Sequence, residues 1–125
     1  MKTIIITIFL SMISFLGSTQ TKGSEITLGQ EVYDFGKVTL SKDTLVASFY
    51  FKNTGNEPLL ISEVRPSCGC ILSTYTSTIL PGEGGVIQLK FYRDTEGPIN
   101  KSATIYSNSI TYPVKVIRIR GELIK

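Results

Sequence analysis

From Ile26 to the C-terminus the chain never places apolar residues at helical spacing; short runs of β-branched and aromatic residues alternate with turn residues. The clearest run is Leu45 to Asn53. Leu45, Ala47, Phe49 and Phe51 fall on one parity, and Val46, Ser48, Tyr50 and Lys52 on the other. Side chains of a strand point alternately to opposite faces, so this pattern predicts a strand buried on one face. Val86 to Tyr92 repeats it with Ile87, Leu89 and Phe91 inward, and Lys101 to Ser107 with Ala103 and Ile105 inward. Asn53 to Pro58, Pro81 to Gly85, Asp94 to Pro98 and Asn108-Ser109 read as the intervening turns. About seven strands at regular spacing predict an all-β antiparallel sandwich.

Three places break the alternation. Ile26 and Leu28 differ in parity from Tyr33 and Phe35, which predicts a bulge or break near Gly29. Gly36 reads as the end of that strand. In the closing run, Tyr112 to Leu123, parity slips between Val116 and Ile117, which predicts a second bulge. Arg118 and Arg120 share one face, expected to be solvated. Ile71 to Ile79, rich in Ser, Thr and Tyr, suits one exposed or edge strand.

Ahead of this region, Met1-Lys2 precedes an apolar run, Thr3 to Gly17, and then small and polar residues. That layout predicts a signal peptide over residues 1–19 and export to the periplasm or exterior. The run is short for a membrane span, which needs about 20 residues, and no second apolar span follows. Residues 20–25 read as a loose tail, and 26–125 as one domain. Loss of Lys2 with the leader lowers the formal net charge from +3 to +2. So small a charge argues against nucleic acid or anionic lipid as a partner.

Pro66-Ser67-Cys68-Gly69-Cys70 holds the only two cysteines. In a flat strand residues i and i+2 lie about 6.6 Å apart, near the upper limit for a disulfide, about 6.8 Å. Gly69 is expected to fold the segment back through backbone conformations closed to other residues. The resulting ring would be very small, constrain the unfolded chain little, and be easily reduced. Three readings stay open: an inert local disulfide or two small buried side chains, a labile redox pair, and a soft-metal site. The chain has no histidine, so two thiolates cannot complete a four-ligand zinc site. Two-coordinate Cu(I), or a site shared between chains, remains open. Arg65 is the one nearby cation that could favour a thiolate.

Without histidine no Ser-His or Cys-His pair exists, and no pair of carboxylates stands out by spacing. An enzyme is therefore not expected, and no cofactor is implied. Asp43-Thr44-Leu45 resembles the Asp-Thr-aliphatic acceptor of bacterial periplasmic O-glycosylation, which makes Thr44 a candidate modification site; turn chemistry explains it equally.

Several phrases in order carry a resemblance. They are Asp34-Phe35-Gly36-Lys37-Val38, Phe49-Tyr50-Phe51-Lys52-Asn53-Thr54-Gly55, Pro58-Leu59, Ser67-Cys68-Gly69-Cys70, Pro81-Gly82-Glu83, Ser107-Asn108 and Ile119-Arg120-Gly121. The chain resembles the bacterial domain of unknown function 1573, related to immunoglobulin-like domains of ciliary and centrosomal proteins. Ile71 departs from the Thr usual there. The resemblance implies a secreted immunoglobulin-like domain and supplies no catalytic residues; only Cys68 and Cys70 carry over, without a role. The expected function is a non-catalytic module binding a protein or envelope component through loops or a sheet edge, with Tyr50, Tyr75, Tyr92, Tyr106 and Tyr112 as candidate contact residues. The alternative is a thiol redox or copper-binding protein acting through Cys68 and Cys70.

Overall fold

The computed structural model describes residues 23–41 and 43–125. The expected leader, residues 1–19, lies outside them. Nine strands follow in order: β1 (Ile26–Leu28), β2 (Val32–Thr39), β3 (Leu45–Asn53), β4 (Leu59–Pro66), β5 (Ile71–Tyr75), β6 (Thr78–Ile79), β7 (Gly84–Phe91), β8 (Gly97–Ser107) and β9 (Val114–Ile124). There is no helix among the described residues, hence none that could cross a membrane. One sheet has the order β1-β3-β7-β5, the other β2-β9-β8-β4-β6. The expected all-β sandwich is present, with short β1 and β6 bringing the strand number above seven.

The alternation read from the sequence sets the inner faces. Ala47, Phe49 and Phe51 of β3 and Ile87, Leu89 and Phe91 of β7 are buried from one sheet. Ile61 and Val64 of β4, Ala103 and Ile105 of β8, and Ile117 and Ile119 of β9 meet them from the other. Arg118 and Arg120 are exposed, as expected.

The chain breaks after Leu28, one of the two outcomes expected near Gly29: Gly29 closes the β1–β3 ladder and the chain crosses to the other sheet. Four other expectations are corrected. β2 then pairs with β9 in parallel, the one exception to the antiparallel rule among the described residues. Gly36 does not end β2. It sits at a register shift between Asp34 and Lys37, with φ +67° and its N–H donating to Asp34 Oδ1 at 2.8 Å. That is a glycine bulge in mid-strand. Conversely, β8 and β9 stay in register through Ala103↔Ile117 and Thr104↔Val116. No bulge occurs there because Val114 and Val116 point outward and Lys115 inward, where its ammonium reaches Glu31 at 2.6 Å. A long amphipathic side chain can point inward at an open end of the core and still keep its charge wet. The run from Ile71 to Ile79 is likewise two strands, β5 and β6, one at an edge of each sheet.

Residues 23–25, expected as part of a loose tail, are tied down. Gly23 and Ser24 are buried, Gly23 N–H donates to Asn56 Oδ1 at 2.7 Å, and Ser24 Oγ donates to the Asn108 carbonyl at 2.8 Å. Small residues here fit under two loops whose backbone groups need partners.

Candidate functional site

The cysteine turn is a crossover. β4 ends in the five-stranded sheet at Pro66, and β5 begins in the four-stranded sheet at Ile71. Ser67 N–H donates to the Ser102 carbonyl of β8 at 2.8 Å, and the Cys70 carbonyl accepts from Tyr92 N–H, just past β7, at 3.2 Å. The Ser102 N–H donates back to Ser67 Oγ at 3.1 Å. Each end of the turn is thus bonded to a different sheet. Between them Cys68 and Cys70 form a disulfide with their Cα atoms 5.3 Å apart, shorter than the flat-strand spacing. Both cysteines are half-buried against the core, and Gly69 is exposed.

Gly69 does not serve as expected. It is not among the glycines with positive φ, and a Cβ built on it meets nothing within 4 Å. The crossover itself folds the turn, so glycine's extra conformations are not used. Arg65 does not act on the sulfurs either. Its guanidinium forms two hydrogen bonds to Glu63, at 3.1 and 3.2 Å, and lies 5.7 Å from the Tyr106 ring centre. The hydrogen bond to Glu63, then its negative charge, raise the Arg65 pKa above the ordinary value. With both sulfurs bonded to each other, neither is a thiolate ligand in this state; a soft metal would need the reduced pair.

At the opposite end, Asn53 closes β3. Its side chain is fully buried at 0% exposure. Nδ2 donates to the carbonyls of Glu57 at 2.7 Å and Ile79 at 3.0 Å. Oδ1 accepts from Gly55 N–H at 3.0 Å and Glu25 N–H at 3.2 Å. Asn108 does comparable work beside it, accepting from Leu60 N–H at 2.8 Å and donating to the Pro58 carbonyl at 3.2 Å. In the sequence both looked like ordinary turn residues. Each stands at the end of an alternating run and within one of the phrases that carry the family resemblance.

A third feature is an open flank. β1 pairs with β3 only from Ile26↔Asn53 to Leu28↔Phe51. Gly29 N–H then donates to the Tyr50 carbonyl at 3.0 Å, and the chain departs. Toward Leu45 no described strand lies on this side of β3. Backbone groups of an antiparallel strand alternate sides, so Ser48 and Val46 present N–H and C=O to this flank. Gly29, Gln30, Tyr33, Ser48 and Tyr50 line a shallow recess there. Tyr33 closes the core beneath, its ring 6.3 Å from that of Phe49, while Tyr50 is 67% exposed at the rim.

The other tyrosines are dispersed. Tyr75 lies on β5, Tyr92 just past β7, Tyr106 on β8, and Tyr112 ahead of β9, where the Lys115 ammonium sits 4.2 Å from its ring centre. The structure does not bring the five together. Thr44 is exposed in the loop before β3.

A family model described as "Protein of unknown function (DUF1573)" matches residues 26–123. The chain belongs to the DUF1573 family. A search of curated proteins found no match. Among solved structures, this DUF1573 domain is similar to a protein of unknown function from Porphyromonas gingivalis W83, with TM-score 0.70 and 19% identity over 88% of this chain and 51% of that one. It is similar to the seventh ASH/PapD-like domain of human CEP192, with TM-score 0.63 and 12% identity over 90% of this chain and 96% of that one. It is also similar to the VesB protease of Vibrio cholerae, with TM-score 0.62 and 13% identity over 81% of this chain and 32% of that one. The chain therefore spans about half of the first and a third of the last. At these identities the likeness is one of fold, an immunoglobulin-like, PapD-like sandwich.

Proposed function

We propose that this DUF1573 chain is an exported, non-catalytic module that binds a protein or cell-envelope partner, and that an extended segment of that partner lies along the open flank of β3. The carrying observation is the flank itself. β1 covers only the Asn53 end of β3, leaving the backbone groups of Ser48 and Val46 on an open flank beside a recess that Ser48 lines and Tyr50 rims. An added strand gains main-chain hydrogen bonds from such an edge and specificity from the side chains beside it. Tyrosine at the rim offers rigid amphipathic contact area. Export rests on the Lys2 start and the Thr3–Gly17 apolar run.

Two measurements test this. Intact mass of the protein from its native host should lack the residues from Met1 to about Thr19; a mass that retains them refutes export by cleavage. A photocrosslinking residue replacing Tyr50 in that host should give adducts of defined mass, while one replacing Arg120 on the other sheet should not. Equal labelling at both positions, or none at Tyr50, rejects the flank as the binding site.

A further inference from the structure

The disulfide bridges two residues that the fold already holds together. Ser67 is bonded to β8 in one sheet and Cys70 to Tyr92 beside β7 in the other. Ile71 N–H also donates to the Cys68 carbonyl at 3.4 Å. None of these bonds involves sulfur, and all can persist when the S–S bond is broken. The ring spans only Gly69 and ties no distant element to another. A Cβ on Gly69 would meet nothing within 4 Å, so the turn opens to solvent.

We propose that Cys68 and Cys70 form a reversible thiol–disulfide exchange site that cycles between disulfide and dithiol without unfolding the domain. Its reaction partner is a thiol reductant, either a dithiol protein or two equivalents of a small monothiol. The reductant's thiolate attacks the Sγ of one cysteine. The Cys68–Cys70 bond breaks, a mixed disulfide forms, and the other cysteine leaves as a thiolate. A second thiolate of the reductant attacks the mixed disulfide at the reductant's sulfur, releasing the reductant as its own disulfide. The pair gains two electrons and, as thiols, two protons. Re-oxidation runs the same steps backward, and the crossover helps it by keeping the two Cα atoms within bridging distance. This role is independent of the β3 flank and stands or falls separately.

The test equilibrates the whole folded protein in glutathione buffers of graded composition, quenches with an alkylating reagent, and counts added mass. The dithiol fraction should rise from about a tenth to about nine-tenths over about two decades of [GSH]²/[GSSG], as a two-electron couple requires. The melting temperature of the reduced protein should fall by less than half the drop caused by Phe49→Ala. In oxidised glutathione, Cys68→Ser or Cys70→Ser should each leave a thiol that takes up one glutathione. A bond that resists every ratio until denaturant is added overturns the proposal. So does reduction that unfolds the domain, or single-cysteine variants of which neither forms the mixed disulfide.

Discussion

The two ends of the sandwich handle the same task, carrying the chain between elements, by opposite means. At one end the Asn53 side chain is fully buried and bonded to four backbone groups from four different residues, Glu25, Gly55, Glu57 and Ile79. At the other, the Cys68–Cys70 bond joins neighbours two apart, and backbone bonds to Ser102 and Tyr92 fix the turn. The register of β3 with β7 separates the two: Lys52↔Gly84 lies at the asparagine end, and Leu45↔Phe91 at the cysteine end, where β5 joins through Ile71↔Phe91. The lesson concerns reach. A polar side chain that satisfies groups distant in sequence determines loop arrangement, because each group it abandons is left buried and unpaired. A covalent bond between near neighbours determines little, because it removes few unfolded conformations.

Substitutions should therefore separate the ends sharply. Asn53→Ala should cost about 3–5 kcal/mol, since it orphans buried donors and acceptors together. Denaturant unfolding measures this; a loss as small as that of a surface substitution would mean that water replaces the amide. The two end glycines make a matched pair. A Cβ at Gly55 would stand 2.1 Å from the Gly23 carbonyl oxygen and 2.7 Å from Glu25 N, both backbone atoms. Gly55→Ala should then cost about 2–3 kcal/mol as the N-terminal segment is pushed off. Protection of the Ile110 amide, bonded to the Ser24 carbonyl, should drop in hydrogen exchange.

At the cysteine end, Cys68→Ser combined with Cys70→Ser should cost about 1–2 kcal/mol by the chain-entropy argument for so short a loop. Phe49→Ala, emptying a fully buried site between the sheets, should cost about 3–5 kcal/mol. Paired melts compare them, and equal losses would make the disulfide a structural staple. Smallest of all, Gly69→Ala should change stability by no more than about 0.5 kcal/mol, as an exposed position with room for a methyl group. A large loss would show that the turn needs glycine after all, as the Cys-Gly-Cys spacing had suggested.

Much of the fold was legible because burial on one face writes itself into period-two alternation. Phe49, Phe51, Ile87, Leu89, Phe91 and Ile105 are all buried where parity placed them. Where parity misled, a local exception was responsible: Val114 and Val116 are apolar yet outward, and Lys115 is inward. The candidate site was half legible. Two cysteines one residue apart announce a possible bond, but whether glycine bends the turn depends on the crossover around it.

The sequence by itself determined the all-β class, the inner faces of the long strands, the family, and the pair of sulfurs, because each is a matter of local spacing and residue type. Tertiary structure alone decided that β2 runs parallel to β9, that Asn53 and Asn108 bind loops they do not adjoin in sequence, and that β1 leaves part of β3 uncovered. Those features depend on which strands meet. Pairing partners are chosen by the energy of the whole assembled core and its satisfied polar groups, and no short stretch of chain carries that information.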